Sequence, residues 1–347
     1  MRKKDILRNT VGILIPVYNS EQNIENCLNS IVNQTYKNIE VVIVDDGSTD
    51  NSGNICDKYQ KKDNRIKVFH IKNSGVANAR NYAIKKCNSD YITFIDSDDY
   101  VDLNYIEVLY KIMRKNDADI VSCDLKYCTD LIKKKNEIPK EIYILNKKQA
   151  MESLMYGKKI SNGPTCKLFK KSLFSDIEFP VGKLFEDLGT IYKVIDRTKK
   201  VAYINEKKYY YFQNYTSITH AKFNDKSLYI LECGETIMNF IYDNYPEIKM
   251  AGDYMYFSRA VDIARIIPLK NKYKPEINKI KNILRRYRKK IIKNEYARRH
   301  MVFFAYCAYF GIYGIKLGNF IFCNIMKLKI RMETKNEKNR NNNFMWK

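Results

Sequence analysis

The densest chemical signal in the chain is Tyr91-Ile92-Thr93-Phe94-Ile95-Asp96-Ser97-Asp98-Asp99, where a hydrophobic strand runs into three carboxylates. Carboxylates crowded at the end of a buried strand repel one another, and a hard cation between them makes the arrangement favourable. A divalent ion held by only one or two carboxylates keeps coordination positions open for phosphate oxygens. Asp96 and Asp98 therefore predict a Mg²⁺ or Mn²⁺ site that handles a diphosphate. The plain alternative is a solvated loop in which Asp98 or Asp99 caps a helix starting near Asp102.

Four other segments carry candidate groups. In Asp45-Asp46-Gly47-Ser48, a carboxylate could accept the imide N–H of uracil while Gly47 lets the backbone turn close to the base. The alternative is a strand-to-helix turn with an Asx cap. Pro16-Val17-Tyr18-Asn19 could set the Tyr18 ring against a base, although a tyrosine at a strand end more often only packs. Arg80, one turn into a helix, could pair with a phosphate or form a surface salt bridge. Glu186-Asp187 offers a general base, against the alternative of ordinary acidic residues at a helix N-terminus.

The elements that must position these groups alternate along the first third of the chain. Residues 11–17 and 39–45 are continuous apolar runs of strand length, 66–71 alternates like a more exposed strand, and 91–95 is a fourth. Between them, helices are expected from Ser20 as cap, from Thr49 or Asp50 to about Tyr59, and over 76–87. Continuous apolar strands separated by helices predict a mostly parallel sheet covered on both faces. Ligands bind beyond the carboxyl ends of such strands. Tyr18-Asn19, Asp45-Asp46, Asn73-Ser74-Gly75 and Asp96–Asp99 are thereby expected on one rim. Neither G-x-G-x-x-G after the first strand nor G-x-x-x-x-G-K-[ST] is present, which disfavours a dinucleotide site and a P-loop. Further on, the pattern predicts a helix over 102–115, a strand over 118–124, irregular basic sequence to Tyr143 and a helix over 147–156. A helix over 186–197 and separate strands over 201–204 and 208–212 follow.

The composition is 45% apolar, enough for a real core. Nine scattered cysteines without C-x-x-C spacing and three distant histidines argue against a disulfide framework and a histidine metal site. With no secretory signal visible, the expected location is the cytoplasm. Net charge is +23, and residues 270–347 alone hold 21 Lys/Arg against 4 Asp/Glu. Such a segment suits an anionic partner, lipid or nucleic acid, or is simply lysine-rich. Ile277, Ile280, Leu284, Tyr287 and Ile291 form an apolar stripe opposite Lys281, Arg285, Arg288, Lys289 and Lys293. That pattern predicts a basic amphipathic helix lying on a membrane. Residues 301–323 are long enough to span a bilayer, but Lys316, Asn319 and the aromatic rings favour an interfacial or partly buried helix.

Taken together, IPVYN, VDDGSTD, SGVANARN, FIDSDD and LFEDL resemble, in order and spacing, the family-2 glycosyltransferases over about residues 10–220. The resemblance implies a GT-A fold, α/β with a mostly parallel central sheet, as a catalytic domain over 1–223. A helical, basic region would follow over 224–332 and a disordered tail over 333–347. It implies inverting transfer from a nucleotide-sugar, most often a UDP-sugar. Pro16, Tyr18, Asp45, Asp46, Arg80 and Asp96 would bind the donor together with Glu186, Asp98 and Asp96 would hold the metal, and Asp187 would be the base. TCKLFKKSLF (165–174) resembles its counterpart in bacterial surface-polysaccharide members, which points to a glycan or lipid-linked acceptor in capsule, exopolysaccharide, lipopolysaccharide or teichoic-acid assembly. The enzyme would then sit peripherally on the inner face of the membrane, with a homo-oligomer compatible. Processive members carry Q-x-x-R-W, but the single tryptophan here is Trp346, so transfer of one sugar is expected. Phe212 stands where relatives often have arginine before a Ser-Ile pair, leaving His220 or Lys222 as substitutes. The rival class is a non-enzymatic α/β binding protein with a basic nucleic-acid arm, although no nucleic-acid motif supports it.

Overall fold

Two seven-residue runs, Val11–Val17 (β1) and Ile39–Asp45 (β2), lie parallel and fully buried at the heart of a nine-stranded sheet. Both faces of these strands are covered, which is why their sequences are continuous rather than alternating. Ile66–His70 (β3) extends the sheet beyond β2, and Tyr91–Phe94 (β4) flanks β1 on the other side, all parallel. The structure is a computed structural model and describes residues 9–128, 141–212 and 223–325. The chain forms two compact units, Met1–Ala221 and Lys222–Lys347.

The remaining strands of the first unit are Tyr100–Val101 (β5), Ile120–Cys128 (β6), Ile142–Asn146 (β7), Lys167–Lys170 (β8) and Lys200–Phe212 (β9). The sheet order is β3-β2-β1-β4-β8-β6-β9-β5, with β7 also on β9. β8 runs antiparallel to both β4 and β6, so the sheet is parallel on the β1–β4 side and mixed beyond it. Two expected strands, 201–204 and 208–212, are one: β9 stays paired with β6 through a register shift at Cys123–Leu125. The bulge absorbs the polar Asn205-Glu206-Lys207, which read as a break. The irregular stretch expected up to Tyr143 ends in strand β7, whose exposed, alternating face is that of an edge.

Helices Ile24–Val32 (α1), Ser52–Lys62 (α2), Val76–Lys86 (α3), Tyr105–Asn116 (α4), Lys147–Tyr156 (α5) and Leu188–Asp196 (α6) connect the strands. α5 opens on a capping box between Asn146 and Gln149. Asp50 accepts the Ser52 N–H at the start of α2. Ser20 is not the side-chain cap expected for α1. Its carbonyl accepts from Asn23 and Ile24, while its hydroxyl meets the Ser97 hydroxyl at 2.6 Å.

α4 begins at Tyr105, later than expected, because Asp102 is committed elsewhere. Its carboxylate pairs with Lys208 Nζ at 3.2 Å and accepts the Tyr210 hydroxyl at 2.9 Å, while Lys208 also reaches Asn104. Asp102 and Lys208 side chains are each only 2% exposed, so neither charge has water to fall back on. Asp102→Ala is expected to destabilise the fold by about 3 kcal/mol, because it strands a buried ammonium. Asp102→Leu with Lys208→Met should recover most of that loss in urea unfolding; a double variant as unstable as the single would refute the charge explanation.

The second unit is helical: Tyr229–Asn244 (α7), Lys249–Ile266 (α8), Lys274–Ile292 (α9), Arg299–Cys307 (α10) and the helical residues 311–325. The stripe Ile277, Ile280, Leu284, Tyr287 and Ile291 is buried, with α9 packed on α8 and α10. The expectation that this stripe faces a membrane is therefore corrected: it builds the unit's own core and leaves only the basic face of α9 outside. Residues 299–325 are apolar enough to cross a bilayer by composition. However, Gly311, at φ 62° and ψ −147°, breaks the run. The Phe322 ring lies 6.1 Å from His300 and 5.9 Å from Phe304, so residues 311–325 fold back along α10 as a hairpin. At 1.5 Å per residue the two arms reach only about 14 and 22 Å, short of a hydrocarbon core of about 30 Å.

Candidate active site

The parallel strands deliver their acidic ends to one rim, as the alternating pattern requires. Tyr18 follows β1 with its side chain about half exposed (51%), free to lie against a planar ligand, whereas Pro16 is buried within the strand. Asn19, at a left-handed φ of 48°, ties this segment to the next: its side chain accepts the Thr49 N–H and its own N–H reaches Ser48 Oγ.

Asp45 and Asp46, adjacent in sequence, are held differently. Asp45 accepts the Ser48 N–H at 3.0 Å and pairs with His70 Nδ1 at 2.8 Å. That hydrogen bond, helped by Asp57 on the other ring nitrogen, raises the His70 pKa above its usual range. Asp46 uses both oxygens to accept the Ser74 and Gly75 N–H groups, at 2.8 and 2.7 Å, fixing the loop that enters α3. Gly47 has φ +71°, and a Cβ there would lie 2.8 Å from the Asn73 nitrogen, so only glycine lets the two loops approach. Both aspartates therefore shape the rim, with the lone pairs left over available to a ligand.

The far side of the site is organised by Arg80, buried on α3. Its Nη2 donates to Asp96 Oδ1 at 2.9 Å and its Nη1 to Glu186 Oε1 at 2.6 Å, while the guanidinium lies 5.6 Å from the Phe179 ring centre. Two of the expected ligand-binding groups, Asp96 and Glu186, are thus joined by a third. Arg80 bridges carboxylates instead of waiting for a phosphate, a geometry that its sequence position did not reveal.

Asp99 was the candidate helix cap and is instead a tie to β9. It accepts the Tyr209 hydroxyl at 2.7 Å and the Phe212 N–H at 3.0 Å, and the Tyr209 hydroxyl also accepts the Asp96 N–H. Burial, then the charges of Asp96 and Asp98, push the Asp99 carboxyl well above the usual range. Asp98 rises to about 6 for the same two kinds of reason, burial first and the Asp96 charge second, opposed only by its own backbone N–H.

A cation is the group that would relieve this repulsion. No cluster of three or more His, Cys, Asp or Glu side chains among the described residues is arranged to hold a metal alone. Asp98, with Asp96 using the oxygen that Arg80 leaves, fits an ion carried mainly by substrate phosphates.

Glu186 and Asp187 follow Phe185, which takes a left-handed φ of 60°. α6 begins two residues later than expected, and Asp187 is its N-cap, with Oδ1 accepting the Leu188 N–H at 2.7 Å. Among the described residues no donor meets its other oxygen. Burial raises the Glu186 pKa, opposed by Arg80.

Sequence reasoning passed over Lys167, whose only signal was its place in TCKLFKKSLF. It is fully buried, and Nζ donates to Ser161 Oγ, Gly163 O and Thr165 O, so one ammonium gathers the whole loop before β8. Burial lowers its pKa to about 8. Tyr209 was missed too, because nothing in a tyrosine-rich strand marks the one hydroxyl that meets Asp99. Phe212 packs beside Tyr100, Cys128 and Tyr210. His220 and Lys222, the suggested substitutes for the missing arginine, lie outside the described residues, as does the tail 333–347.

This sheet, with its acidic rim and buried arginine bridge, is that of a GT-A glycosyltransferase. The family model for glycosyl transferase family 2 matches residues 12–178. Glycosyltransferase GlyG of Streptococcus pneumoniae serotype 4 is 34% identical over 228 residues, 62% of this chain and 74% of that protein. The chain belongs to glycosyl transferase family 2. A poly(ribitol-phosphate) beta-glucosyltransferase of Bacillus spizizenii is 36% identical over 210 residues, 58% of this chain but 32% of that longer protein. In fold, the chain is similar to residues 1–349 of S. aureus TarS in complex with UDP-GlcNAc, with TM-score 0.67 at 19% identity and 91% of this chain and 92% of that one covered.

Proposed function

We propose that the protein transfers one sugar from a nucleotide-sugar, a UDP-sugar in this reading, to a hydroxyl of a glycan or lipid-linked acceptor, with inversion at the anomeric carbon. The observation that carries the reading is the Arg80 bridge. It joins the acids that follow β4 to the acidic pair before α6, with Asp96 and Glu186 90 residues apart, in one site. The likeness to a poly(ribitol-phosphate) beta-glucosyltransferase supports an acceptor of bacterial surface-polysaccharide or teichoic-acid type.

In this reading the Tyr18 ring lies against the base. Asp98 and Asp96 would hold a Mn²⁺ or Mg²⁺ ion, which would supply positive charge against the departing diphosphate. The free oxygen of Asp187 takes the acceptor proton as the acceptor oxygen bonds to C1 and the bond from C1 to the diphosphate breaks. The nucleoside diphosphate leaves on the opposite face. Arg80 positions Asp96 and holds Glu186 beside the base.

The test is hydrolysis of a panel of UDP-sugars without acceptor, with and without Mn²⁺. Slow release of UDP from one donor, dependent on the metal, is the expected result. No release from any nucleotide-sugar, with bound UDP absent as well, would overturn the reading.

A further inference from the structure

The C-terminal hairpin exposes a run of large aromatic and aliphatic side chains, with tyrosine hydroxyls and Asn324 as the polar groups among them. Tyr306, Phe310, Tyr313, Leu317, Phe320 and Ile325 are all exposed, from 42% to 79% with their neighbours Tyr309 and Ile321 included. The two polar residues that argued against an apolar surface are turned inward. Lys316 Nζ reaches the Arg265 carbonyl at 3.4 Å, and Asn319 Oδ1 accepts from Arg265 Nε at 2.6 Å. A soluble monomer rarely leaves so large a contiguous apolar patch bare.

The charge around the hairpin says what covers it. Because Phe322 packs beside His300, the start of α10 and the end of residues 311–325 share one end of the hairpin. That end carries exposed Arg298 and Arg299. Exposed Lys281, Arg285, Lys289 and Lys293 line the outer face of α9 in the same unit. Aromatic and aliphatic side chains bordered by arginine and lysine suit the headgroup boundary of an anionic bilayer. Each arm is too short to span the hydrocarbon core, so the hairpin lies in the interface.

We infer that the 299–325 hairpin docks the protein on an anionic membrane through this aromatic face, and that the buried stripe of α9 takes no part. The docking goes beyond the proposed chemistry and does not depend on it. The test is flotation of the full chain with phosphatidylcholine vesicles that contain phosphatidylglycerol, against phosphatidylcholine alone. Four exposed positions are changed together: Phe310→Ser, Tyr313→Ser, Leu317→Ser and Phe320→Ser.

The wild type should float with the anionic vesicles and not with the neutral ones. The variant should lose about ten-fold or more of that binding, while UDP-sugar hydrolysis in vesicle-free buffer is unchanged. Failure of the wild type to float, equal flotation with neutral vesicles, or undiminished flotation of the folded variant would each overturn the inference. A wild-type dimer that becomes monomeric in the variant, with no flotation, would overturn it in favour of a second copy of this chain. Absence of both hydrolysis and UDP binding with flotation intact would sink the proposed chemistry and leave the docking surface standing.

Discussion

Asp98→Ala is expected to lower metal-dependent transfer by about 10³-fold, at least as much as Asp187→Asn, for which general-base loss sets a range of about 10²–10⁴. The order follows from where charge develops. Departure of a diphosphate concentrates negative charge at the leaving group, and preorganised opposite charge there is usually the larger contribution to rate. Asp98 is the rim carboxylate that burial, and then the repulsion of Asp96, push up against its own backbone N–H. Among the described residues its carboxylate makes no ion pair, and its charge only adds to the repulsion on Asp99, so its removal should spare the fold. Asn at position 187 keeps the cap that α6 needs, since asparagine caps helices as well as aspartate does. The two variants then separate by binding: Asp98→Ala should weaken the Mn²⁺-dependent component of UDP affinity in calorimetry, and Asp187→Asn should leave it intact. Near wild-type transfer by both folded variants would remove the assigned roles.

The parts of this site that the sequence made legible are those governed by local rules. β1 and β2 lie where the sequence placed them, because a strand buried on both faces is mostly apolar along its length. α5 likewise spans the residues its pattern marked, with its cap in place. What sequence did not reveal depends on partners far along the chain. Asp99 looked like a helix cap and is a buried acceptor for Tyr209 and Phe212, more than a hundred residues away. The apolar stripe of α9 had the periodicity of a membrane-surface helix, but periodicity specifies a buried face without naming what buries it. The apolar run after it read as one long segment because a single glycine, Gly311, decides between a span and a hairpin. Arg80 is the plainest case: its type and position were visible, and its two partners were not.

Arg80→Met is expected to destabilise the first unit by about 3–5 kcal/mol and to lower transfer to background, two losses with one origin. The guanidinium is almost wholly buried, at 6% exposure, against Glu186 at 13% and Asp96 at 32%. Methionine fills similar volume, so the loss would come from charge: two carboxylates left facing each other in a low dielectric, where breaking a buried pair costs about that much. Lysine should not substitute, because a single ammonium cannot fork to two carboxylates as a planar guanidinium does. Adding Glu186→Gln to Arg80→Met removes one stranded charge and should restore at least half of the lost stability in urea unfolding. Transfer should stay lost, because Asp96 would still lack the guanidinium that positions it beside Asp98. If Arg80→Met unfolds within about 1 kcal/mol of the wild type, within the range of an ordinary surface substitution, the bridge does not hold the site together. If the double variant regains activity along with stability, Arg80 serves the fold alone. Stability restored without activity is the result that only a bridge shared between folding and chemistry produces.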